Sequence, residues 1–264
     1  VNTLTFLAAS GGGEFQAPGP EIFNFPPLFA GGPAWLTKPL VFGLVGALVV
    51  CGFAWSAFAK PKLVPRGMQN LGEVGYVFVR EQVARPFLGK DSERWMPFLL
   101  PLFFLIWAWN IMAVIPFVQL PIPSHIAFPA ALAIMVYLLK IYLGIKHQGV
   151  RYFTDMIPKG LPKATYLLLV PIEYLSNFVL APFTHAVRLF ANMFAGHLIL
   201  AFFSLVGFWF IIEHPTPLGA GLGVVGVLMT VIMTGFELFI QFLQAFLFTM
   251  LAAMYIGGSL RADH

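Results

Sequence analysis

Arg188 stands near the middle of an apolar run of about 49 residues, 164–212, inside the stretch PFTHAVRLFANMFAGHLIL at 182–200. A guanidinium keeps its proton at any physiological pH. Holding one at the centre of a bilayer helix costs at least roughly 2.5–3.5 kcal/mol, so a chain that keeps it there has a use for a fixed cation. The bland alternative is an arginine whose stem snorkels to the membrane surface; the apolar residues that continue on both sides argue against it. Thr184, His185, Asn192 and His197 are the other polar residues of the stretch. Thr184, Arg188 and Asn192 are four apart and share one helical face, whereas His197 points roughly to the opposite side.

A second apolar run, 218–260, carries Glu237, Gln241 and Gln244 at spacings of four and three, again on one face. Folding the two runs about Pro215 places His197 about 18 residues before the turn and Glu237 about 22 after it, with Arg188 about 27 before and Gln244 about 29 after. His197 thus matches Glu237 in depth, and Arg188 matches Gln244. A histidine and a carboxylate at one level inside a membrane are the residue types that take up and release protons. The pattern alone also allows a buried hydrogen-bonded pair that merely fastens two helices. Glu173, with Tyr174, Ser176 and Asn177 beside it, offers a second polar access nearer the other end, or simply a solvated helix end.

These residues need long apolar helices to hold them, and the composition supplies little else. Of 264 residues, 59% are hydrophobic and 10% charged, with mean hydropathy +0.85; a soluble domain would carry about a quarter charged residues. An all-α integral membrane protein is expected, because the apolar runs are long and unbroken where a barrel would alternate. The single Cys51 excludes an internal disulfide and leaves no zinc cluster. Neither metal nor cofactor is expected, and no nucleic acid. No secretory signal is expected either, since no basic region precedes the short apolar stretch Leu4 to Ala9.

In chain order, residues 1–38 are rich in Gly and Pro and read as an irregular non-cytoplasmic segment. Residues 39–59 are long enough to cross a hydrocarbon core of about 30 Å. Residues 67–95 place Leu71, Val74, Val77 and Phe78 at helical spacing among Glu73, Arg80, Glu81, Arg85 and Lys90, the pattern of an amphipathic helix on the membrane surface or of a plain soluble loop. Spans follow at 96–118 and 126–145, joined by a turn marked by Pro116, Pro121 and Pro123. Continuous helices over 164–212 and 218–260 would be roughly 65–75 Å long, so each either tilts steeply or breaks, with Pro171 and Pro182 able to bend the first. A hairpin of two long tilted helices about Glu213, His214, Pro215 and Pro217 is the preferred reading, and splitting each run into two spans the other. The glycine-rich start of the last run needs no more than close helix packing.

Basic residues give orientation. Lys60, Lys62, Arg66, Arg80, Arg85, Lys90 and Arg94 fall in one loop, Lys146, Arg151, Lys159 and Lys163 in a second, and Arg261 in the tail, whereas the turns at 119–125 and 213–217 have no Lys or Arg. With five crossings, all three basic regions share a side, which the positive-inside rule makes cytoplasmic, with the N-terminus outside and the C-terminus inside.

Arg188-Leu-Phe-Ala-Asn192-Met-Phe-Ala-Gly-His197, followed by Leu243-Gln-Ala-Phe-Leu-Phe248, closely resembles the membrane-embedded a subunit family of F-type ATP synthases. The resemblance covers most of the chain and is most specific over 182–200 and 237–256. It implies that Arg188 faces a rotating ring of c subunits, each with one carboxylate. It also implies a proton path in two offset half-channels. Asn192, His197, Glu237, Gln241 and Gln244 belong to the proton-translocating set, with the histidine and the acid exchanged in order relative to some members. Glu173, Asn177 and Thr184 would lie along the cytoplasmic half-channel, although Glu173 falls one residue from the position of the family's acid. Further implications are a peripheral stalk of b or b/delta-type subunits, the rest of the synthase complex, a bacterial plasma membrane, and no catalysis by this chain alone. A stand-alone secondary transporter with a midplane ion site would require repeat symmetry, and none is detectable; a purely structural subunit would leave Arg188 unexplained.

Overall fold

The computed structural model describes residues 15, 17–29, 33, 35–59, 62, 64–115, 118–149, 151–155, 163–213 and 215–260. Lys60, Lys159, Arg261, Pro116, His214, most of the first 16 residues, and so the stretch from Leu4 to Ala9, lie outside them, as does the Lys163 side chain. The chain is an all-α integral membrane protein. Among the described residues, five helical stretches are long and apolar enough to cross a membrane: Lys38–Phe58, Met68–Ile111, Ala127–Gln148, Thr165–Glu213 and Pro217–Leu260. Among the described residues the only β pairing is one isolated bridge, Pro27 with Thr37.

Proline shapes these helices in a repeated way. Among the described residues, short π-helical segments interrupt α-helices at Arg80–Ala84 and Ser176–Leu180, and a third, Trp209–Glu213, ends one. Each ends two residues before a proline: Pro86, Pro182 and Pro215. A proline has no N–H to offer the carbonyl four residues back, and its ring collides with that carbonyl. Widening the preceding turn relieves the collision while the other backbone groups stay paired, which membrane burial demands. The amides of Arg85 and Ala181 accordingly reach the carbonyls five residues back, Arg80 and Ser176. The run 164–212 therefore stays helical without splitting, and the last helix is one piece of 44 residues. At about 66 Å it is twice the hydrocarbon thickness and must tilt.

Contacts cluster the chain into two compact units. The first comprises Val1–Leu48, Trp107–His125 and Phe190–Leu243. Here the last two helices pack closely enough that a Cβ added at Gly226 would lie 2.6 Å from the Gly207 nitrogen and 3.0 Å from its Cα. Backbone atoms cannot move aside as a side-chain tip can, so Gly226→Val is expected to cost about 1–3 kcal/mol of overpacking. The thermal midpoint of the purified complex should fall, and Gly221→Val should leave it unchanged, because nothing lies within 4 Å of the Cβ there. The indole of Trp109 donates to the Gly43 carbonyl at 3.0 Å and ties the first helix to the third.

The second unit comprises Val49–Ile106, Ile126–Leu189 and Gln244–His264. Its amphipathic segment departs from the expected bounds of 67–95. The helix starting at Met68 ends at Leu88, and a tight 3-10 turn at Gly89–Asp91 leads into Ser92–Ile111. The break falls there because Gly89 adopts φ +56°, a left-handed conformation that suits glycine. The segment is also more than a surface float. Val79, Val83 and Ala84 are fully buried, and Gly72 and Gly75 let it approach Ala57 and Phe104. Arg80 pairs with Glu93 across the turn, Tyr76 donates to Glu93 at 2.7 Å, and Met68, Leu71, Val74 and Val77 form the exposed apolar face. The following helix stops at Ile111, not at 118, and Gln119 at φ +39° lies in the turn. The next helix starts at Ala127 and runs to Gln148, three residues past the expected end.

Candidate functional site

Thr184, Arg188 and Asn192 lie on one continuous helix, Ala181–Phe208, and all three are exposed. Around them the same helix and the π turn before it expose Val179, Leu180, Phe183 and Ile199. Arg188 is thus a cation on an apolar face. Among the described residues no hydrogen bond or ion pair engages its guanidinium, and the ion pairs found there join only Arg80, Arg85, Glu81 and Glu93. Thr184 turns its hydroxyl back to the Ala181 carbonyl at 3.1 Å, as threonines in helices commonly do.

Glu237, Gln241 and Gln244 are all three buried. In the first unit Glu237 and Gln241 begin a polar string. Gln241 Nε2 donates to Glu237 Oε1 at 3.4 Å, and Asn110 Nδ2 donates to the Gln241 backbone carbonyl at 3.1 Å. Asn110 is fully buried; the sequence marks it only as a polar interruption of an apolar span, because its partner is 131 residues away. The string is unfinished: Glu237 Oε2, Gln241 Oε1, Asn110 Oδ1 and His197 Nδ1 are buried with no protein partner. Four such atoms in one apolar unit would each cost on the order of 1–3 kcal/mol if left dry. A string this polar is suited to hold ordered water as their partner.

Glu237 lies beside the helix turn that carries His197. A Cβ on Gly196 would lie 3.7 Å from the Glu237 carboxyl carbon, so the acid faces the residue next to the histidine. No direct hydrogen bond joins the two side chains among the described residues. The histidine ring rests instead on Phe23, at 5.8 Å between centroids, and Phe23 also packs on Phe194 at 4.5 Å. Phe23 belongs to a short 3-10 turn, Pro20–Phe23, in the segment that composition alone leaves featureless. Its neighbour Phe25 packs on His125 at 5.4 Å, so both aromatic residues anchor this segment over the polar string.

In the second unit, Gln244 is buried on the last helix while Arg188 is exposed on its own; no hydrogen bond joins them among the described residues. Glu173 and Asn177 are half-buried and pair with each other: Asn177 Nδ2 donates to Glu173 Oε1 at 2.8 Å. Tyr174 beside them donates to the Phe153 carbonyl at 2.9 Å. The second unit thus carries an exposed fixed cation, and the first unit a buried polar string of Glu237, Gln241 and Asn110.

Residues 40–257 match the family model described as ATP synthase A chain. The chain is 42% identical over 258 residues to ATP synthase subunit a of Streptomyces lividans, covering 95% of this chain and 89% of that protein. It is 42% identical over 253 residues to ATP synthase subunit a of Frankia alni, covering 93% and 86%. With the protein of the same description from Rhodococcus erythropolis it shares 39% identity over 267 residues, covering 99% and 95%.

Proposed function

Because the chain belongs to the ATP synthase A chain family, proton-translocating subunits of the membrane sector, we propose that it is the stator against which a ring of carboxylate-bearing c subunits turns. Arg188 carries this reading: a permanent cation, exposed on an apolar helix face and unpaired among the described residues, calls for a negative group from outside the chain. A ring carboxylate that arrives ionised is held by the guanidinium, and one that has taken a proton loses that attraction and turns into lipid.

Protons reach the ring from outside through a half-channel formed by Asn192, His197, Glu237 and Gln241, with Gln244 next along the same helix face. They leave through a second half-channel on the cytoplasmic side, for which Glu173, Asn177 and Thr184 are the candidates. Arg188 stands between the two and blocks a direct leak. Each proton crossing 100 mV delivers about 2.3 kcal/mol, so several pass for every ATP made elsewhere in the complex. The chain sits in a bacterial plasma membrane with its N-terminus outside and the basic regions and C-terminus in the cytoplasm. It partners the c ring and a peripheral stalk of b or b/delta-type subunits.

The test is contact. In the intact complex, with Cys51 replaced by serine, Asn192→Cys or Thr184→Cys is paired with a cysteine one turn from the ring carboxylate. Oxidation is expected to form an intersubunit disulfide and stall rotation until reductant is added. No cross-link at either position, with a control cysteine pair elsewhere at the subunit boundary reacting normally, overturns the assignment of this face.

A further inference from the structure

One buried cluster in the second unit takes no part in the mechanism above. His185 is only 3% exposed, and both its ring nitrogens lack a protein partner. A neutral imidazole is one donor and one acceptor, so neither capacity is met. Its ring packs edge-on against Phe248 at 3.8 Å and lies 5.9 Å from the Tyr255 ring. Tyr255 in turn lies 5.1 Å from Tyr137, the second phenol of the cluster and itself buried. The Lys140 ammonium sits over both tyrosine rings, at 5.1 and 5.0 Å. Packing alone would favour Leu or Phe at position 185, because an unsatisfied polar group in a water-free interior is costly.

The position gives the cluster a use. His185 lies three residues before Arg188, about 4.5 Å along the same helix axis, but it is turned to the buried side. Lys140 is one turn beyond Tyr137 toward Lys146 and Gln148, the basic end of its helix. We infer that His185, Tyr137 and Tyr255 enclose ordered water that carries protons between the level of Arg188 and this basic end, with Lys140 at the mouth. The inference rests on the function proposed above. It adds to the inner half-channel a conducting branch on the buried side of the helix, behind the exposed face of Thr184. The transfer is balanced: the imidazole accepts a proton on one nitrogen and releases the other to water, ending neutral with its tautomer exchanged. The positive charges of Arg188 and Lys140 flank the string, so protons pass along it and do not accumulate.

Thiol accessibility tests the water directly. In inverted vesicles carrying the intact complex and Cys51→Ser, His185→Cys and Tyr255→Cys are each exposed to silver ion from the cytoplasmic face, then denatured and counted for free thiol with a maleimide. Both are expected to be blocked at a rate within about tenfold of Gln148→Cys at the basic end. His185→Asn, with normal complex in the membrane, is expected to slow ATP-driven proton pumping by about a hundredfold or more, the lower end for losing a proton-transfer group. Thiols at 185 and 255 that stay free while the one at 148 is consumed overturn the inference, and so does unchanged pumping in His185→Asn. The labelling does not depend on rotation, so failure of the stator reading would appear in the disulfide test while this one still reads out.

Discussion

Replacement of Arg188 by alanine is expected to abolish proton-driven ATP synthesis while leaving the complex assembled. The two halves of that expectation have separate grounds. The chain does not need the guanidinium to fold: the side chain is exposed, and no hydrogen bond or ion pair among the described residues depends on it. Removing a charge from an apolar face also relieves the roughly 2.5–3.5 kcal/mol that its insertion costs. Subunit level and ring association should therefore be close to normal. Synthesis in respiring vesicles should fall by about a hundredfold or more, the scale of losing one preorganised charged group at the point where charge changes. The same variant should let protons leak, since the barrier between the half-channels is gone. Near-normal synthesis at normal complex level would remove Arg188 from the mechanism. Loss of the complex itself would mean that the arginine has a structural partner instead.

How much of this was legible in the sequence depends on the range of the interaction. The exposed face of Thr184, Arg188 and Asn192 follows from four-residue spacing on one helix, and that helix is present as expected. The placing of Glu237 beside the turn that carries His197 follows from two long helices and one turn, because rise per residue is uniform. Three other features escaped for different reasons. Asn110 acquires its meaning from a carbonyl 131 residues away, and no local pattern encodes that contact. Phe23 covers His197 from a segment without periodicity. His185, placed among apolar neighbours, shows nothing in sequence of its two unmatched nitrogens, which emerge only when Phe248 and Tyr255 close around it. The π segments lie between these cases. The prolines were visible, but the rule that each π segment ends two residues before one needed the backbone. The end of the amphipathic segment was misplaced because charge pattern outweighed Gly89, whose positive φ decides it.

Exchange of His197 and Glu237 tests whether the buried string works as a unit. Glu237→Ala alone is expected to lower proton flow per assembled complex by about a hundredfold, within the range for a removed acid–base group. His197→Ala should reduce it less, because no hydrogen bond joins the ring to the acid among the described residues and its Nδ1 has no protein partner. Glu237 lies beside the turn that carries position 197, and Gly196 leaves the space between them open, with its would-be Cβ 3.7 Å from the carboxyl group. A carboxylate at 197 and an imidazole at 237 can therefore occupy nearly the same volume. Gln241 Nε2 could still donate to an imidazole nitrogen at 237 as it now does to the carboxylate at 3.4 Å. The double exchange should accordingly retain more proton flow than His197→Glu or Glu237→His, each of which leaves two like groups facing one another. In a double-mutant cycle this is a favourable coupling between residues that share one network. Vesicle proton flow, normalised to assembled complex, measures it. If the double variant is as slow as the slower single one, His197 and Glu237 do not act as a pair, and the outer half-channel must be rebuilt around Glu237, Gln241 and Asn110 alone.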